Sequence, residues 1–158
     1  MKLYFVRHGK ATYDAASDEK RPLSDEGNAD MQKIATVLAN LGVKPKRLFS
    51  SPRRRAQETA QHIGDAVKVK PQIDDACDFN FDADAVAKLA KGLSDSSGIM
   101  FVGHNPSISA VVEELCGAQV DLPPGAVVCI DRVKPPTVAS ANLDWILTPD
   151  VVNSILAD

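Results

Sequence analysis

The chain has 158 residues, 44% of them apolar and 25% charged, with a formal net charge of −3. That length fits one domain, spanning 1–158, which buries roughly two-thirds of its unfolded surface and so needs no covalent or metal staples. The mildly acidic balance argues against a dedicated nucleic-acid binder. Cys77, Cys116 and Cys129 are odd in number and share no C-x-x-C spacing, which argues against a disulfide framework and for a reducing compartment. The apolar run before Arg7 is too short for a signal-peptide core, and no run approaches the ~18 residues of a membrane span. The expected location is cytoplasmic, with no membrane partner.

In chain order, short apolar runs alternate with helical periodicity, which predicts an α/β fold. Leu3 to Val6 is a continuous apolar run, as in a strand covered on both faces. A helix is predicted from about Asp25, with Ser24 as N-cap, acidic residues in its first turn and Gly42 as its stop. Ile34, Ala35, Leu38 and Leu41 would form its inner face. Arg47 to Ser50 reads as a second strand. The next helix is predicted to open with Ser51 as N-cap and Pro52 at its first position, with Ala56, Ala60, Ile63 and Val67 inward. An aspartate-rich loop follows, then a helix near Ala83 to Leu93 and a strand over Ile99 to Val102. Asn105-Pro106 would start a further helix facing Ile108, Val111, Val112 and Leu115 inward. Beyond Pro123-Pro124-Gly125 come strands over Val127 to Val133 and Asn142 to Leu147, then a short helix from Pro149.

Two of the buried strands end alike. Leu3-Tyr4-Phe5-Val6 runs into Arg7-His8-Gly9, and Ile99-Met100-Phe101-Val102 runs into Gly103-His104-Asn105-Pro106. Sites in open parallel sheets form beyond the carboxyl ends of the strands, so two histidines delivered there could face one another across a pocket. A single histidine at a strand end is more often a polar rim residue; the matched pair beside Arg7 is not so easily dismissed. Ser51-Pro52-Arg53-Arg54-Arg55 adds three guanidinium groups around a helix start, where the dipole already supplies positive potential. That makes sense if an anion is bound, and phosphate suits both a helix N-terminus and the arginine fork. Arg53 and Arg54 read as solvated basic surface, continuous with Lys44, Lys46 and Arg47. Arg55 does not.

With these residues in place the chain resembles the histidine phosphatase superfamily. The Arg7-His8-Gly9 tripeptide is followed by Arg21-Pro22-Leu23-Ser24. Ser51 to Thr59 then matches the family's Ser-Pro-x-x-Arg-Ala-x-x-Thr element, and Gly103-His104-Asn105-Pro106 its second-histidine element. The likeness is greatest to short bacterial phosphohistidine phosphatases of the SixA type, through the compact length, Asp14-Ala15-Ala16-Ser17-Asp18 and Arg21-Pro22-Leu23. The resemblance implies a three-layer α/β/α domain with a mostly parallel central sheet, as in phosphoglycerate mutases.

It also implies that His8 is the nucleophile, forming a phosphohistidine intermediate, with its second nitrogen held by a backbone carbonyl near Gly9. Arg7, Gly9, Arg55 and His104 would surround the phosphoryl oxygens, and Arg21 would add a contact. The family's general acid falls in the stretch from Ile73 to Asp78, where Asp75 aligns best and Asp74 and Asp78 compete. No cofactor is implied. The arginines would repel a divalent cation, no H-E-x-x-H pair is present, and neither a G-x-x-x-x-G-K-[ST] nor a G-x-G-x-x-G loop occurs. His62 reads as structural or exposed and the cysteines as core residues, with Cys77 the one to test for exposure. The expected partner is a phosphorylated protein, such as a histidine phosphotransfer domain. Competing readings are a small-molecule phosphomonoester phosphatase or mutase of the same fold, and a non-catalytic phosphate-recognition module. A metal-dependent hydrolase is more distant.

Overall fold

The computed structural model describes residues 1–132 and 141–157. Strand β1 (Lys2–Arg7) buries Leu3, Tyr4, Phe5 and Val6, and alternate residues enter two different apolar clusters. Leu3 and Phe5 pack with Phe49, Phe101, Ile108 and Val112 on one side, while Tyr4 and Val6 meet Met31, Ile34, Ala60 and Ile63 on the other. A strand with both faces covered cannot alternate with polar residues, which explains the unbroken apolar run.

The remaining strands are β2 (Arg47–Ser50), β3 (Gln72–Ile73), β4 (Gly98–Gly103), β5 (Val127–Arg132) and β6 (Ala141–Leu147). They form one sheet in the order β3-β2-β4-β1-β5-β6. β1 and β2 both pair parallel with β4, and β3 pairs parallel with β2, whereas β5 runs antiparallel to β1 and β6 to β5. Helices α1 (Asp25–Asn40), α2 (Arg54–Val67) and α5 (Pro149–Leu156) cover one face, and α3 (Ala83–Leu89) and α4 (Ser107–Cys116) the other. The three-layer α/β/α architecture is therefore as expected. Phe5 and Phe101 stack at 5.5 Å in the layer beneath the strand ends. Each such fully buried side chain stabilises the fold by about 1.5–3 kcal/mol.

Local signals account for most boundaries. The Ser24 hydroxyl accepts from the Gly27 amide and caps α1, and Gly42, at φ +76°, lets the chain turn away after it. Four expectations need correction. Leu41 is 59% exposed, because α1 ends at Asn40 and the residue after it leaves the buried face. Helix α2 starts at Arg54, not Ser51 or Pro52, and Arg53 occupies the cap position. Helix α3 stops at Leu89, before a turn in which Gly92 adopts φ +84°. Leu115 is only partly buried. Val133, placed in β5 by the sequence, lies outside the described residues. Among the described residues, no helix is long and apolar enough to cross a membrane.

Candidate active site

Strands β1 and β4 are hydrogen-bonded neighbours in register, Arg7 opposite Gly103, and the His8 amide donates to the Gly103 carbonyl at 3.0 Å. Both strands run the same way, so the residues that follow them, His8 and His104, emerge side by side at the carboxyl end of the sheet. Their ring centroids are 5.1 Å apart. The two imidazoles meet.

His8 Nδ1 lies 2.7 Å from the Gly9 carbonyl, which can only accept, so that nitrogen carries the proton and Nε2 keeps its lone pair. Nε2 faces Arg55, whose Nε is 3.3 Å away. Burial pushes the His8 pKa from its ordinary 6.5 down to about 4. The Gly9 hydrogen bond opposes that shift, and the guanidinium groups of Arg55, Arg7 and Arg21 add to it. His104 is pushed down to about 3, first by burial and then by His8 and Arg55, with Asp78 opposing. The pair is thus held neutral at ordinary pH.

A test follows from the signs. Unfolded histidine binds a proton near pH 6.5, whereas His8 and His104 resist one until well below it. The stability they contribute is complete above about 6.5 and drains away as pH falls toward 4 for His8 and toward 3 for His104. Nitrogen NMR of the native protein is expected to show His8 Nε2 still unprotonated at pH 5.5, and titration near 6.5 would contradict the buried placement.

Arg55 is 4% exposed. Its Nη1 donates to the Asp18 carbonyl at 2.8 Å and its Nη2 to the Asp18 carboxylate at 3.2 Å. That carboxylate also binds Arg53 at 2.6 Å and Arg21 at 3.0 Å, and Arg21 holds its pKa below the usual carboxylate value. Arg7 donates through Nη1 to the Leu122 carbonyl at 2.7 Å, and Asn105 donates to the same carbonyl at 3.1 Å. Arg7 Nε and His104 Nδ1 are buried with no hydrogen-bond partner among the described residues. Such orphans are costly in a folded protein unless something met at the site satisfies them.

Several expectations shift here. Asp75 is exposed on a short 3-10 turn, and the carboxylate brought to the histidines is Asp78, 3.5 Å from His104 Nε2 and 2.7 Å from Arg53 Nε. The turn makes the difference: Asp74 caps it through Ala76 N, Asp75 points outward, and Asp78 closes it beside β4. Asp78→Asn is expected to lower turnover several-fold more than Asp75→Asn, measured on the same substrate. Gly9 does not offer its amide to an anion, since that N–H donates to Thr59 Oγ1 at 3.0 Å. Glycine is needed there for space: a Cβ would lie 2.8 Å from Met31 Cγ. Arg53 is no solvated surface residue but a wall of the site, its guanidinium over the Phe79 ring and between Asp18 and Asp78. Arg54 is exposed and pairs with Glu58, as surface arginines do. Cys77 is buried, and His62 bonds Asn28.

Sequence reasoning missed Asp18 and Ser51. The Ser51 hydroxyl accepts from the Arg53 amide at 3.2 Å and lies 2.8 Å from His104 Nε2. The signal for Ser51 was present in the Ser-Pro element; the signal for Asp18 was its place among arginines that meet only in three dimensions.

The sheet, the histidine pair and the guanidinium cluster define a phosphate-handling α/β protein, and the comparisons agree. The sequence model of the histidine phosphatase superfamily (branch 1) matches residues 3–78. The chain is 26% identical over 157 residues to the phosphohistidine phosphatase SixA of Escherichia coli (strain K12), covering 94% of each protein. The structure of the protein histidine phosphatase SixA complexed with tungstate superimposes with a TM-score of 0.85 at 23% identity, over 96% of this chain and 99% of that one. A mycobacterial glucosyl-3-phosphoglycerate phosphatase is more remote, with a TM-score of 0.71 at 18% identity, over 93% of this chain and 99% of that one.

Proposed function

We propose that this protein hydrolyses phosphohistidine on a protein, passing the phosphoryl group through Nε2 of His8. The observation that carries the reading is the fixed tautomer: Nδ1 is tied to the Gly9 carbonyl, and the free Nε2 lone pair faces Arg55 in a site lined by guanidinium groups. Nε2 attacks phosphorus, and the bond from phosphorus to the substrate imidazole breaks. If that imidazole is protonated on its distal nitrogen, it departs neutral and no donor from the enzyme is required. His8 then carries phosphate on Nε2 and a proton on Nδ1, and the Gly9 carbonyl accepts from the cation. Water attacks phosphorus next, both its protons leave with inorganic phosphate, and His8 returns neutral.

Positioning and charge supply most of the catalysis in phosphoryl transfer. Arg55 and Arg7 supply charge. His104 can donate through Nδ1 to a phosphoryl oxygen, provided that Nε2 accepts from the Ser51 hydroxyl. Loss of that hydroxyl releases the tautomer. Ser51→Ala is therefore expected to lower turnover about tenfold, the equivalent of a buried hydrogen bond of about 1–3 kcal/mol. Unchanged turnover would show that His104 needs no partner.

The substrate preference follows from the carboxylates. The oxygens of Asp18 and Asp78 are turned to guanidinium N–H groups, so both carboxylates are engaged as hydrogen-bond acceptors of arginine and neither is placed as a donor to a leaving group. An alkoxide leaving from a phosphate ester is strongly basic and needs a proton donor. Imidazole does not. The test is a time course of dephosphorylation of phosphohistidine proteins and of a panel of ester metabolites, with His8→Ala as control. Preference for the phosphohistidine protein is the expected result; preference for an ester would establish a small-molecule phosphatase instead.

A further inference from the structure

Asp18 sits between two arginines, and each of them carries an exposed aromatic ring. Arg21 binds Asp18 at 3.0 Å and places its guanidinium carbon 4.0 Å from the centre of the Tyr13 ring. Arg53 binds the same carboxylate at 2.6 Å and lies 3.9 Å from the centre of the Phe79 ring. Tyr13 is 84% exposed and Phe79 49%. Neither ring is needed by the sheet's two apolar clusters. Phe79 also meets His104 edge-on, with centroids 4.8 Å apart, so this end of the strip reaches the histidine pair.

We infer that Tyr13 and Phe79 form a docking rim for the protein part of the substrate, a refinement that rests on the phosphohistidine reading above. Arginine under an aromatic ring holds it without burying it, so each ring has lost freedom before any partner arrives. Exposed tyrosine and phenylalanine are costly to leave in water and are enriched at the centres of interfaces. The charge pattern selects the partner. At the surface Arg21 and Arg53 face Asp18 and Asp78, two charges of each sign, and Arg55, the third partner of Asp18, is buried, so the exposed strip offers rings rather than net charge. The fitting occupant is a neutral or apolar protein face around the phosphorylated histidine, not an acidic one. A substrate without that face, such as phosphoramidate, reaches the phosphoryl site but touches little of the rim.

The experiment compares kcat/KM for a phosphohistidine protein with that for phosphoramidate, in wild type, Tyr13→Ala, Phe79→Ala and the double variant. The ratio of the two is expected to fall about tenfold or more in the double variant, chiefly through KM for the protein. Tyr13→Phe and Phe79→Trp should restore it, and it should change little with added salt. A ratio within about twofold of wild type in the double variant overturns the rim, as does equal loss on both substrates. A ratio that collapses with salt in wild type overturns the neutral-partner assignment. If wild type ignores the phosphohistidine protein while hydrolysing esters, the functional reading fails and the rim with it. An active wild type with an unchanged ratio defeats the rim alone.

Discussion

His8→Ala is expected to abolish turnover, by more than about 10³-fold, while inorganic phosphate still binds. The imidazole is the proposed nucleophile, with its Nε2 lone pair facing Arg55, and its loss removes the covalent route rather than weakening it. The positive groups stay: Arg55 is anchored by Asp18 and Arg7 by the Leu122 carbonyl, neither through His8 alone. Rapid-quench labelling at alkaline pH should show phosphate on the wild-type chain and none on the variant, and competition by inorganic phosphate should be retained. A variant that kept most of its activity would remove His8 as nucleophile. A wild type that bound phosphate but never carried it covalently would be a recognition module.

Arg55→Ala is expected to lose both turnover and phosphate affinity. Two effects add. The guanidinium facing His8 Nε2 disappears, at about 10²–10³-fold in rate for a lost charge-stabilising donor. The Asp18 carboxylate also loses one of its three arginine partners, leaving less cancelled negative charge beside the site. Arg55→Lys keeps the charge but not the fork that spans His8 and Asp18, so it should recover only part of the loss. Measured kcat/KM and phosphate inhibition should move together for both variants. Reduced rate with intact phosphate affinity would mean that Arg55 acts only in the transition state.

The strands and helices were largely legible because their signals are local. Unbroken apolar runs marked β1 and β4, Ser24 marked the start of α1 and Gly42 its end. The histidine pair was legible too, since two parallel strands with matching ends imply neighbouring tips. Placement by loops was not. Asp75 and Asp78 differ by three residues on a 3-10 turn, and only the turn's geometry decides which carboxylate faces His104. The start of α2 was misplaced because Ser51 and Pro52 have good helix-start chemistry, yet Ser51 is bonded to His104 across the sheet. Arg53 reads as surface from its neighbours in sequence. Its partners, Asp18, Asp78 and Phe79, come from two distant segments.

The gap between the two imidazoles has an origin outside the side chains. Adjacent strands lie about 4.7–4.9 Å apart, and the ring centroids are separated by 5.1 Å. The backbone ladder between β1 and β4 thus acts as the gauge of the reaction centre. Substitutions around the rings can retune charge and ring orientation there, while the ladder keeps the two chain positions side by side. A slip of one strand past the other would offset those positions, and a one-residue slip would turn Leu3, Phe5 and their neighbours to the opposite side of the sheet. The whole interior therefore guards a single dimension, and evolution on this scaffold is free to vary the surroundings without recalibrating the centre.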